Sequence, residues 1–192
     1  MTTIPTRGEG FLYMKVGTHA QETLEDIIRR KTREIEDAGY ALWGYGGNTC
    51  HPTSMVQPFA RDFQQRFGAI YLLMEPMNSQ HFALPVRADE FSSDGIHWEK
   101  IPSPINVRGS RYALLIKNLR LEDFDISLAR TKVAIGNSSG RPGSLYVAGR
   151  VDKACLEVTD DPLVKPGAEP SVHIGLAAEL LEPYAVFVRN SL

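Results

Sequence analysis

Apolar positions along the chain follow two different periods, and the change between them divides it. Residues 11–16, Phe-Leu-Tyr-Met-Lys-Val, form a dense apolar run with the aromatic and branched character of a strand. The period then becomes helical, with Leu24, Ile27, Ile28 and Ile35 on one face and Arg29, Arg30, Lys31 and Arg33 mostly off it. Thr18 and Gln21 have the spacing of a capping box at its start, and Gly39 supplies its stop. A second helix is predicted over 55–67, where Val56, Phe59, Phe63 and Phe67 repeat at three and four, with Pro58 in the first turn. The apolar run 69–74 reads as a central strand.

From residue 80 onward the pattern is one of short apolar stretches parted by turn signals, at 81–86, 96–101, 111–117, 131–135, 145–158, 172–176 and 184–189. Ser92-Ser-Asp-Gly95 predicts a hairpin between two of them. The whole predicts an α+β fold, with helices near the N-terminus packed on a mixed or antiparallel curled sheet or small β-barrel. Residues 1–192 read as a single globular domain, and the proline-rich stretch 160–170 as a mobile surface loop.

Composition narrows the partners. Net charge is −2 with 43% hydrophobic residues, so no global attraction draws the chain to phosphate backbones or anionic lipid. Nucleic-acid binding would have to be local. No stretch approaches the apolar length of a membrane span, and no secretory signal is visible, which predicts a cytoplasmic protein with no membrane partner. Two cysteines, Cys50 and Cys155, suit reduced thiols better than a disulfide framework.

Candidate chemistry centres on residues 39–54, which hold three aromatics, four glycines and an adjacent Cys50-His51 pair. As a binding loop, it would bring backbone N–H groups to a ligand at Gly44, Gly46 and Gly47, stack Trp43 or Tyr45 on it, and read an edge with Asn48. As a plain turn, it would bury Trp43 and let Asn48 bond its own backbone. Cys50 or His51 could serve catalysis, but neighbours on an extended chain point apart, so a partner imidazole would come from His19, His81, His97 or His173. Asp152 or Glu75 is the candidate carboxylate. Buried and inert is the ordinary state of a lone cysteine.

Two more polar glycine loops, 106–111 and 136–144, set Arg108, Arg111 and Arg141 beside glycine and serine, a pattern able to hold phosphate or carboxylate. Neither matches a nucleotide-hydrolase motif, and each also suits a hairpin loop. Arg150-Val-Asp-Lys153 places charges on a strand, as a site or, by default, a solvated face. The basic cluster at 29–33 is interleaved with Glu22, Glu25, Asp26, Glu34 and Glu36, as on a salt-bridged exposed helix. Histidine and cysteine spacings support no metal site, and nothing calls for a cofactor.

The strand at 11–16 with its Lys15, the helix after it and the Trp43-Gly-Tyr-Gly-Gly-Asn48 turn resemble the opening of EVE and related PUA-like domains. The resemblance covers about the first fifty residues and carries over only Trp43 and Asn48. It implies a curled β-barrel with a pocket for a nucleobase, often a modified one, flipped from DNA or RNA. The inserted helix is longer and the turn has two extra glycines. Three readings stay open: a module binding a planar, nucleotide-like ligand; an enzyme using Cys50 or His51; and a partner-binding protein without a pocket, for example a homodimer.

Overall fold

The computed structural model describes residues 4–46, 51–81, 83–148, 151–160 and 170–191. Among the described residues nine strands form one mixed sheet, seven of them in the order β2-β6-β9-β3-β1-β8-β7. These are β1 (Gly10–His19), β2 (Ala41–Tyr45), β3 (Tyr71–His81), β6 (Tyr112–Ser127), β7 (Thr131–Val133), β8 (Lys153–Val158) and β9 (Ser171–Arg189). The short hairpin of β4 (Glu90–Ser92) and β5 (Glu99–Lys100) joins through β9; its connection includes 93–95 as the sequence predicts, and also 96–98, which the sequence pattern gives to a strand. Helices α1 (Leu24–Ala38), α2 (Thr53–Phe67) and the single-turn α3 (Gly143–Tyr146) complete the fold.

The sheet is mixed because β1 and β3 run parallel, Phe11 opposite Tyr71 and Met14 opposite Met74. A parallel pair needs a long crossover, and the segment α1-β2-α2 supplies it. Both strands are covered on both faces, which explains their near-continuous apolar sequence. Leu12, Met14, Leu72 and Met74 face one core with Trp43, Val56, Phe59 and Leu114. Phe11, Tyr13 and Leu73 face a second on the other side.

The sheet is strongly curled without closing into a barrel. Three register shifts bend the long β6–β9 ribbon, with Asn118 and Tyr184 in left-handed conformations there. The Lys153 ammonium of β8 consequently lies 5.9 Å from the Tyr45 ring of β2, although β6, β9, β3 and β1 separate those strands. That inward curl makes the concavity described below.

Several boundaries differ from the sequence pattern for definite reasons. β1 runs on to His19, and Ala20 and Gln21 take left-handed φ angles of 48° and 67°, so Thr18 and Gln21 form no capping box. Thr23 caps α1 instead, its hydroxyl accepting from the Asp26 N–H, while Gly39 ends it at φ 84° as expected. α2 begins at Thr53, which moves Pro58 beyond the first turn. Pro58 is on the solvent side, and the carbonyl it leaves without a donor, on exposed Ser54, is open to water. The stretches predicted at 172–176 and 184–189 are one strand, β9. The Ala-Ala-Glu-Leu-Leu-Glu between them favours helix locally and is held extended by β3 and β6 on either side. Residues 83–86 lie outside strands, and 145–147 belong to the α3 turn rather than to β8.

Among the described residues no helix is long and apolar enough to cross a membrane. Cys155 is buried with a free thiol, and Cys50 lies outside the described residues. Burial raises the Cys155 thiol well above its ordinary value of 9. As pH passes 9 the unfolded chain therefore loses this proton while the folded one keeps it, and stability falls. Burial also lowers the Lys31 ammonium to about 8, with the opposite sign: between about 8 and 10.5 the folded chain is the first to lose that proton, and stability rises. Urea midpoints measured from pH 8 to 11 should decline less steeply in Cys155→Ala than in the wild type. Parallel profiles would show that Cys155 does not contribute.

Candidate functional site

A cavity of about 300 Å³ opens where the end of β1 and the start of β8 face β2, walled by α1 and by the loop at 107–110. Trp43, Tyr45 and Gly46 line it, together with Arg108 from the polar loop 106–111. With Gly44, which lines it too, five of the ligand-binding positions read from the sequence are thus brought together. Gly47, Asn48 and Cys50 lie outside the described residues.

Glycine is needed at the wall for space. A Cβ on Gly44 would stand 2.2 Å from the Ser110 hydroxyl, and one on Gly109, at φ +59°, 2.8 Å from the Leu84 carbonyl oxygen. The first approach seats the 107–110 loop against β2 and the second sets it against residues 83–84, and together they fix the base of Arg108.

The aromatic groups form a floor rather than a clamp. Trp43 is 5% exposed and Tyr45 4%. Tyr45 stacks on Tyr112 at 5.5 Å and donates from its hydroxyl to the His51 carbonyl, 2.8 Å away. Its ring also lies by the Lys153 ammonium, so Tyr45 positions that cation. Trp43 is the aromatic surface left for a ligand.

Charge distinguishes the cavity most. Lys15, Arg30, Lys31, Arg108 and Lys153 line it against two carboxylates, Glu22 and Asp152. Arg30 is held by Glu22 at 2.5 Å and Glu34 at 2.9 Å. Lys31, 2% exposed, gives hydrogen bonds to Glu34 (2.9 Å) and to the Asn106 carbonyl (2.8 Å). Glu34 in turn accepts from the Asn106 N–H at 3.0 Å, so a buried ionic knot ties α1 to the loop carrying Arg108. Lys153, 4% exposed, pairs with Asp152 at 2.9 Å. Among the described residues neither Lys15 nor Arg108 forms a direct ion pair with a carboxylate; Arg108 donates to the Asn106 side-chain oxygen at 3.1 Å, and its charge helps to hold the Glu22 carboxyl below its ordinary value. The cavity therefore carries a surplus of positive charge in a chain of net charge −2.

No protein-family model, curated protein or solved structure matches the chain. Its chemistry is read from its own residues.

His19 is at the cavity wall, Nε2 3.1 Å from the Arg108 carbonyl and 3.4 Å from the Ser110 hydroxyl. His51 is 6% exposed, edge-on to Tyr146 at 6.5 Å, and does not line the cavity. His97 and His173 are exposed and pair with Asp94 and Asp125. Of the two candidate carboxylates, Asp152 lines the cavity, whereas Glu75 does not and accepts the Tyr13 hydroxyl instead. Arg111 lies beside the cavity rather than in it, and Arg141, on the loop before α3, is elsewhere. No cluster of three metal-binding side chains occurs among the described residues.

Lys153 and Lys31 are the groups that the sequence pattern concealed. Lys153 alternates with Cys155 on the inward face, a signal present at 151–158, yet a charge on a strand reads by default as solvated. Lys31 sits in a helix rich in both charges, and only the fold buries it.

Proposed function

We propose that this protein is a binding module for a planar, anionic ligand of nucleotide type, held in the cavity between β1, β8 and β2. The observation carrying this reading is the joining of Trp43 with Lys15, Arg108 and buried Lys153 in one concavity. Apolar floor, convergent polar groups and a cationic rim are what a small-ligand site requires. A guanidinium and ammonium groups without full carboxylate neutralisation favour phosphate or carboxylate. An aromatic floor favours a flat ring over a flexible aliphatic anion. The resemblance to EVE and PUA-like domains supports a nucleobase as that ring, with Trp43 as the position shared.

The test is a titration of the full chain with a nucleoside monophosphate, followed by intrinsic tryptophan fluorescence and by calorimetry. Binding that weakens about tenfold in Trp43→Leu, a change that keeps the position apolar but removes the ring, is the expected result, since base stacking on an aromatic contributes about 1–3 kcal/mol. Circular dichroism checks that the variant is folded. Absence of binding in the wild type, or equal affinity in the folded variant, refutes the reading.

A further inference from the structure

Arg30 already grips an anion from its own chain. One end of its guanidinium is fixed by the buried knot: Nη1 donates to Glu34 at 2.9 Å and to the Asn106 carbonyl. At the other edge Nε and Nη2 donate to both oxygens of Glu22, at 3.0 and 2.5 Å, and both residues line the cavity. This two-pronged fork is the geometry in which arginine holds a phosphate. From this, and resting on the reading of the cavity as an anion site, we infer that Glu22 is an autoinhibitory pseudo-ligand, filling the subsite of the ligand's phosphate and leaving Arg30 when that phosphate binds.

The charge around the fork suits a phosphate better than the carboxylate now in it. Burial pushes the Glu22 carboxyl up, yet hydrogen bonds from Arg30 and the charges of Arg30, Arg108 and Lys31 outweigh it and hold the group below its ordinary value. Glu22 is therefore an anion that three cations share. With Glu22 withdrawn, Arg30 and Lys31 keep Glu34 as their carboxylate among the described residues, and Arg108 adds a third positive charge. The surplus of two is what a phosphate dianion neutralises and a single carboxylate does not.

The segment carrying Glu22 is strained. His19 and Glu22 exchange both backbone hydrogen bonds, at 3.0 and 2.9 Å, so Ala20 and Gln21 make a two-residue turn with φ of 48° and 67°. Positive φ at both places is why such turns are ordinarily Asn-Gly or Gly-Gly, since other side chains crowd the backbone there. At Ala20 packing explains the residue: it is 1% exposed, and a Cβ on Gly109 would stand 3.1 Å from its methyl. Gln21 is exposed, so burial offsets nothing there. Strain of this kind collects at ligand clamps and switches. Release also spares the rest of the fold, because Glu22 precedes the N-cap Thr23 and its withdrawal gives up the two turn bonds but none of α1. A Glu22 that merely positions Arg30 would be needed for anion binding, whereas a pseudo-ligand opposes it, so the two roles predict effects of opposite sign.

The experiment titrates the full chain with inorganic phosphate and with a nucleoside monophosphate by calorimetry, in the wild type, Glu22→Gln and Gln21→Gly, with circular dichroism to check folding. Glu22→Gln keeps the size of the side chain and removes its charge. It should bind both ligands at least about tenfold tighter than the wild type, through the charge-assisted contact it frees. Gln21→Gly touches no charge and relieves the turn, which favours the arrangement with Glu22 on Arg30; it should weaken both ligands by about threefold. That second variant separates displacement from a general loss of negative charge, and it stays decisive if Glu22→Gln does not fold. A folded Glu22→Gln that binds no tighter than the wild type, or a Gln21→Gly of unchanged affinity, overturns the pseudo-ligand and leaves the cavity reading standing. Both shifts seen equally with inorganic phosphate, and no preference for the monophosphate over it, support the pseudo-ligand and remove the planar ring from the ligand. Failure of all three proteins to bind either ligand overturns both.

Discussion

Replacing Glu34 by Gln should destabilise the folded protein by about 3–5 kcal/mol, the range for removing one partner of a buried ion pair. Glu34 is 2% exposed and receives Lys31, Arg30 and the Asn106 N–H. The amide retains volume and some hydrogen bonding but leaves the Lys31 ammonium buried without a carboxylate. Burial already pulls Lys31 down to about 8, so its charge is costly to keep even in the intact knot. The loss should therefore shrink when Lys31→Met is combined with Glu34→Leu, since an apolar pair of similar size avoids both desolvation costs. Urea denaturation of the single and double variants measures this. A single variant within about 0.5 kcal/mol of the wild type, a margin ordinary for surface changes, would show that the knot is not energetically coupled. The double variant also separates stability from function: if it is stable yet binds nucleotide poorly, the knot serves mainly to hold the Arg108 loop.

The helices and the central strands were legible because local pattern and global fold agree there. Ile27, Ile28 and Ile35 repeat at helical spacing and pack on the sheet; Phe11 to Val16 reads as a strand and is one, covered on both faces. Legibility failed where long-range pairing overrides local preference. Residues 177–182 favour helix, and only β3 and β6 hold them in a single long strand. Thr18 and Gln21 imitate a capping box, but β1 pairs with β3 as far as His19 and displaces the helix start to Thr23. The site divides in the same way. Trp43, Tyr45, Gly46 and Arg108 belong to short motifs whose composition is unusual, so they were visible in advance. Lys15 and Lys153 enter the cavity because a curled sheet turns β1 and β8 toward β2, and a lysine's address on a curl is not written in its neighbours.

Lys153→Met is expected to weaken binding of an anionic ligand by about 10–100-fold, equivalent to about 1.5–3 kcal/mol for a charge-assisted contact, with little loss of stability. Its ion pair with Asp152 is asymmetric. Lys153 is 5% exposed in its side chain whereas Asp152 is 40% exposed, so water can solvate much of the carboxylate once the ammonium is gone. Methionine meanwhile fills the same space against Met14 and Tyr45 without desolvating a charge. One local cost remains, since Asp152 Oδ1 is buried without a donor among the described residues. Asp152→Asn in the Lys153→Met background removes the unpaired charge and checks that the binding loss belongs to the cation. A lysine that merely supports the fold predicts the reverse: a lower urea midpoint with affinity per folded molecule preserved. Affinity and stability measured on both variants discriminate these outcomes, and the salt dependence adds a third readout. If Lys153 meets a phosphate directly, its loss should flatten the slope of log affinity against log salt by about 0.7, whereas a lysine acting only by holding Tyr45 in place would leave that slope unchanged.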